Sequence, residues 1–180
     1  MLFSCAEMFE YNVANVKVSL KTSKIFLDNV YIIANKKNLY CKKYKNFIVL
    51  KSVFTYIIFK SKEEQSESHI NITKIPKVCS ISEAIDFIKS LINCSIISYK
   101  IDNIIATTNL RRDLNLANIS KNCKLQNLKY NNEKFPGLFI KFDIGTVILF
   151  HSGKIVIVGC KSEENIKCLI RKICAHILTV

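Results

Sequence analysis

A chain of 180 residues with 49% hydrophobic side chains suits one domain or two small ones and excludes a disordered acidic or low-complexity polypeptide. No window holds eighteen uninterrupted apolar residues, and the start MLFSCAEMFEYN lacks a basic stretch followed by an apolar run, so a soluble intracellular protein with no membrane segment or signal peptide is expected. The net charge of +13 favours a polyanionic partner, but 24 Lys beside 17 Asn also fits an A·T-rich genome, so charge alone leaves nucleic acid, an anionic membrane surface and plain solubility open.

In chain order, the first predicted strand is Asn12 to Leu20, followed by a helix from Ser23 to Ala34 with Ile25, Phe26, Val30 and Ile33 as its apolar positions. Strands follow at Phe47 to Lys51, Thr55 to Phe59 and His69 to Ile75, the last two separated by a polar insertion, Lys62 to Ser68. Ser80 and Glu83 have the spacing of a capping box and open a helix with Ile81, Ile85, Ile88 and Ile92 on one face. The second half runs in the same order: a strand from Asp102 to Thr108, a short helix from Asp113 to Ser120, and strands Leu138 to Phe142, Thr146 to Phe150 and Lys154 to Val158. All four glycines (Gly137, Gly145, Gly153, Gly159) fall in this meander, where turns call for positive φ. Ser162 then caps a last helix, with Glu163 and Glu164 at the positive end of its dipole and Ile166, Leu169, Ile170, Ile173 and Ile177 at helical spacing.

Thr55-Tyr-Ile-Ile-Phe-Lys-Ser61 matches Thr146-Val-Ile-Leu-Phe-His-Ser152, so the chain reads as two copies of one unit of roughly 85 to 90 residues. The expected fold is α+β: a degenerate repeat at 11–97 and a second at 98–180, each strand-helix-three strands-helix, merging into one continuous antiparallel sheet with the helices on one face.

Little here suggests catalysis. The eight cysteines show no Cys-x-x-Cys pair and no nearby His at ligand spacing, so they read as free buried thiols rather than a metal site or disulfides. His69, His151 and His176 are scattered, and no nucleophile triad, carboxylate pair or phosphate-cradling loop is present. An enzyme is not expected, and neither a cofactor nor a metal.

Alternation puts Asn103, Ile105, Thr146, Ile148, Phe150, Val156 and Val158 on the sheet face away from the helices. The first-copy set is Thr55, Ile57, Phe59, Asn71 and Thr73. This face is apolar, with a few hydroxyls and amides and almost no acid. It is too large to stay bare in a monomer, and pattern alone leaves a second core, a dimer interface and a binding surface open.

Tyr130-Asn-Asn-Glu-Lys-Phe-Pro-Gly-Leu138 and Val147-Ile-Leu-Phe-His-Ser-Gly-Lys-Ile-Val-Ile-Val-Gly-Cys-Lys-Ser-Glu-Glu164 resemble the TATA-box-binding protein family, and Asp102-Asn-Ile-Ile-Ala-Thr-Thr-Asn-Leu110 looks like its first strand. The resemblance spans 101 to 177, with the two-copy layout extending it over the rest. It implies a saddle whose concave sheet lies in the minor groove of A·T-rich DNA, with helices on the convex face and pairs of phenylalanines wedged between base steps. The second-copy wedges would be Phe135 and Phe150. In the first copy Phe59 fills the place of Phe150, while counting puts Lys45 in the place of Phe135, with Phe47 two residues on.

On the same resemblance, Asn103 is the asparagine that hydrogen-bonds base edges, with Asn15 or Asn12 as its partner; Asn15 would put Lys17 where the family has a small aliphatic residue. Ile105, Ile148, Val156, Val158, Ile57 and Thr73 would line the groove, and Lys141, Lys154, Lys161 and Lys51 would meet phosphates. Of the acidic residues that engage transcription factor IIB, only Glu133 remains, beside Asn131 and Lys134, which puts contact with a standard factor IIB in doubt.

The function this implies is a TATA-binding-like general transcription factor that binds and bends A·T-rich promoter DNA and nucleates initiation. Its partners would be that DNA, a factor IIB-like protein and RNA polymerase machinery, with a monomer on DNA and dimerisation open when free. The worn first copy and A·T-rich composition suggest a large DNA virus or a fast-evolving parasite, hence a nuclear location or a cytoplasmic viral factory. The rival readings are an interaction protein whose face, altered at Lys17, Lys45 and Asn71, holds a protein partner, and an accessory domain of a nucleic-acid enzyme.

Overall fold

The computed structural model describes residues 10–61 and 66–177. Part of the polar insertion, 62–65, and most of the start of the chain, Cys5 included, lie outside these residues. In order the elements are β1 (Asn12–Ser23), α1 (Leu27–Lys36), β2 (Tyr40–Lys43), β3 (Phe47–Lys51), β4 (Thr55–Phe59), β5 (Glu67–Ile75), α2 (Ile81–Ile92), β6 (Ile96–Asn109), α3 (Leu116–Asn122), β7 (Leu128–Asn131), β8 (Phe135–Phe142), β9 (Gly145–Phe150), β10 (Lys154–Cys160) and α4 (Glu163–Ile177).

Two compact units result: Asn15–Asp102, and Asn103 onward together with the chain ahead of Asn15. In the first unit the strands run in the order β2-β3-β4-β5-β1, and in the second β6-β10-β9-β8-β7. Their neighbours pair antiparallel. Each unit therefore has four strands between its helices rather than the expected three. The additions, β2 and β7, are edge strands of four residues each.

The cores follow from period-2 strands meeting amphipathic helices. In the first unit Val16, Val18, Ile48, Leu50, Ile58, Ile70 and Ile72 are buried with Val30 and Ala34 of α1 and Ala84, Ile88 and Leu91 of α2. The buried Tyr56 hydroxyl donates to the Ala84 carbonyl at 2.9 Å, tying β4 to α2. In the second unit Ile104, Ala106, Leu138, Ile140, Val147, Leu149, Ile155 and Ile157 are buried with Leu116 and Ile119 of α3 and Ile166, Leu169, Ile170 and Ile173 of α4. Each buried Val, Leu or Ile among them stabilises the fold by about 1.5–3 kcal/mol relative to exposure.

Two helix starts and one helix cap depart from the expected ones. Ser23 continues β1, and α1 begins only at Leu27, leaving Phe26 extended at the N-cap and 61% exposed rather than in the core. A 3₁₀ turn at Val78–Ser80 leads into α2, and Ser80 (φ −84°, ψ 4°) makes no side-chain cap, so the capping box does not form. α3 starts at Leu116, capped by Asn115, whose side chain accepts from the Asn118 N–H at 3.0 Å. The cap of α4 is as expected, with the Asn165 N–H donating to Ser162 Oγ at 3.2 Å.

The thiols are more varied than the sequence suggests: Cys94 and Cys160 are buried, Cys41, Cys123 and Cys168 are half-buried, and Cys79 is exposed. Burial pushes the Cys41 and Cys94 thiols up, and that of Cys160 to about 11. Among the described residues no three of His, Cys, Asp and Glu gather to hold a metal ion, and no helix is long and apolar enough to cross a membrane.

Candidate nucleic-acid interface

Opposite each helix-covered face lies an open one. In the second unit Asn103, Ile105, Thr146, Ile148, Phe150, Val156 and Val158 are half-exposed and alternate with the buried Ile104, Ala106, Val147, Leu149, Ile155 and Ile157. The first unit has Asn15, Thr55, Ile57, Phe59, Asn71 and Thr73 in the same condition. Strand pairing brings the two faces into residue-by-residue correspondence. Val156 pairs with Ile148 and Thr107, just as Asn71 pairs with Ile57 and Ser19. Lys141 faces Thr146 as Lys51 faces Thr55.

Each open face carries an aromatic cluster. The rings of Phe135 and Phe150 meet edge to face at 5.9 Å, and Phe139, missed in the sequence although alternation from Phe135 leads to it, lies 5.0 Å from Phe135. Gly137 pairs with Phe150 beneath this cluster. A Cβ there would stand 2.6 Å from Phe135 Cε1 and 2.9 Å from Ile148 Cγ2, so the ring occupies space that only glycine leaves. In the first unit Phe47 pairs with Phe59, their rings 6.1 Å apart, so Phe47 stands in the register of Gly137 and Lys45 two residues before it. The ring that Lys45 cannot provide comes from Phe47, with Tyr44 stacked on it at 4.5 Å.

The asparagines share one device. The Asn103 side-chain carbonyl accepts from the Gly159 N–H at 2.6 Å, and that of Asn15 accepts from the Lys74 N–H at 2.8 Å. Both donors sit where the neighbouring strand slips register, and both have positive φ, 86° at Gly159 and 63° at Lys74. Since an N–H needs an acceptor, the amide oxygen points to the backbone and the Nδ2 protons remain for other acceptors. The equivalence selects Asn15, not Asn12, as the counterpart of Asn103.

Electrostatically the faces differ. Lys51, Lys141, Lys154 and Lys161 are all exposed, with Lys51 Nζ 4.7 Å from the Tyr40 ring centroid. The first unit also has an acid that the pattern did not place on this face. Asp102 hydrogen-bonds Ser19 and lies 3.7 Å from both Lys17 and Lys100, so Lys17 enters an otherwise apolar face with its charge partnered. No local signal could have shown this, since Ser19 and Asp102 are 83 residues apart. Glu133 sits exposed in the β7–β8 turn, its N–H and that of Lys134 donating to the Asn131 side chain at 3.1 and 3.3 Å.

A family model described as transcription factor TFIID, or TATA-binding protein, matches residues 98–180. The TATA-box-binding protein of Methanocaldococcus jannaschii is 31% identical over 176 residues, covering 91% of either chain. The chain belongs to the TATA-box-binding protein family. The family is one of transcription factors, not enzymes. A solved structure of Methanococcus jannaschii TBP superposes with a TM-score of 0.79 at 29% identity, covering 95% of this chain and 99% of that one, so the α+β fold is that of a TATA-box-binding protein. The Thermococcus kodakarensis TATA-box-binding protein is 38% identical over 85 residues, 46% of this chain, and the match spans under half (44%) of that relative's length.

Proposed function

We propose that this protein binds A·T-rich promoter DNA through the minor groove with the open faces of both units, bends it, and nucleates transcription initiation. The observation that best supports this reading is the recurrence in both units of an aromatic pair on the open face and, at matching register, of a backbone-held asparagine: Phe135/Phe150 with Asn103, and Phe47/Phe59 with Asn15.

The chemistry runs as follows. Adenine N3 and thymine O2 are acceptors in the minor groove, matched by the outward Nδ2 protons of Asn103 and Asn15. Ile105, Ile148, Val156, Val158, Ile57 and Thr73 press on the groove floor, where the guanine amino group would clash with apolar side chains. The phenylalanines unstack base steps, at a cost of a few kcal/mol per step, offset by contact along the bent duplex. Lys51, Lys141, Lys154 and Lys161 neutralise phosphates. The protein acts as a monomer on DNA and recruits a factor IIB-like protein and RNA polymerase machinery, and the scarcity of acid around Glu133 calls for a divergent factor.

The test is fluorescence-transfer bending of a TATA-containing duplex against a G·C-substituted one. The TATA duplex should bind and bend, and the Phe135→Ala, Phe150→Ala double variant should lose the bending. Equal binding of both duplexes without bending would point instead to a protein partner on the open faces.

A further inference from the structure

Building on that minor-groove reading, we infer that the two units differ in what they read: the first unit admits a G·C pair at the place served by Asn71, whereas the second, with Val156 there, requires A·T. The two residues hold the same register position, between Ile57 and Ser19 in one unit and between Ile148 and Thr107 in the other. The guanine N2 amino group is the one hydrogen-bond donor among the base edges of the minor groove. Against Val156 it meets methyl groups and loses its water without a replacement acceptor.

At Asn71 an acceptor is available. Ser19 Oγ lies 2.9 Å from Asn71 Oδ1 and also hydrogen-bonds the Asp102 carboxylate, yet the hydroxyl has a single proton. The charged carboxylate is the stronger acceptor and takes it. Ser19 Oγ can then accept from Asn71 Nδ2 once the amide is turned, an assignment that depends on the network rather than on heavy-atom positions. The Asn71 carbonyl is thereby released on the open face to receive an amino group. Even unturned, that carbonyl has a second lone pair. Lys17 and Lys100, each 3.7 Å from Asp102, offset its negative charge, so the carboxylate does not repel the duplex. The remaining amide proton still serves adenine N3 or thymine O2. The first unit is therefore permissive rather than reversed in its preference.

Equilibrium competition with three duplexes tests this: an all-A·T site, the same site with one G·C pair at one end, and with a G·C pair at both ends. The one-end duplex should bind within about threefold of the all-A·T duplex, and the both-ends duplex about tenfold or more worse. Asn71→Val should widen the gap between the one-end and all-A·T duplexes about tenfold. Valine already occupies this register in the second unit, so the strand accommodates it. The reciprocal Val156→Asn should narrow the gap between the both-ends and one-end duplexes. Failure of the wild-type protein to bind the all-A·T duplex would sink the minor-groove reading and this inference with it. Binding of that duplex with equal refusal of the one-end and both-ends duplexes, or an unchanged gap in Asn71→Val, would overturn the inference alone.

Discussion

Asn103 serves the protein with its oxygen and, on the proposed reading, DNA with its nitrogen, and one substitution separates the two. Asn103→Asp keeps an acceptor for the Gly159 N–H. It should leave unfolding stability within about 0.5 kcal/mol while binding of the TATA duplex falls at least tenfold, because a donor is replaced by a charge facing acceptors. A loss of stability equal to the loss of binding would make the residue structural only. Gly137→Ala probes the ring above it. The new Cβ meets the far edge of Phe135, a movable side chain, so the fold should lose about 1 kcal/mol while the duplex-bending signal drops towards that of the Phe135→Ala, Phe150→Ala double variant. At this scale the second copy was legible because Phe135-Pro-Gly-Leu and Phe150-His-Ser-Gly occur intact. The first was less so. Counting put Lys45 in the register of Phe135, as the strand pairing does, but could not show that the ring of Phe47 meets Phe59, and it could not decide between Asn12 and Asn15, because register there depends on a bulge in β1.

Elements with a strong apolar period were readable before the structure; those without were not. β3, β4, β9 and α4 alternate or repeat cleanly, and each is found close to its expected bounds. β2, Tyr-Cys-Lys-Lys, and β7, Leu-Lys-Tyr-Asn, have no buried side chain and owe their conformation to a neighbouring strand. Local capping rules failed at Ser80 for a related reason: the chain enters α2 through a 3₁₀ turn, which denies the serine the extended backbone a cap requires. α1 has no side-chain cap, since Phe26 holds the N-cap position in extended conformation. Phe26→Ser should therefore stabilise the protein by about 0.5–1 kcal/mol, read as a rise in the urea midpoint, since little packing is lost from a residue 61% exposed. A fall in the midpoint would mean that Phe26 packs more than its exposure suggests.

For the molecule as a whole, the buried thiols and Tyr56 set an alkaline limit. Burial raises Cys160 to about 11 and pushes Cys94, Cys41 and Tyr56 up as well, so the fold prefers their neutral forms. Stability from Cys160 is fully present below the unfolded thiol's pKa of about 9 and is lost as the pH climbs toward about 11. Urea midpoints should be level up to pH 8.5 and fall steadily above about pH 9; Cys160→Ala should lower the whole curve but flatten that fall. The same Lys-rich composition that left its partner open in the sequence acquires direction only from the arrangement of side chains on the open faces.

The bonds from Gly159 and Lys74 to the two asparagines also have a thermodynamic consequence. An asparagine free in solution samples several rotamers, and arresting such a side chain on binding costs roughly 0.5–1.5 kcal/mol. Here folding has already arrested both, so on the proposed reading the amides meet the groove preorganised. Their share of the ordering entropy is met when the chain folds rather than when a duplex arrives, and the difference remains as affinity.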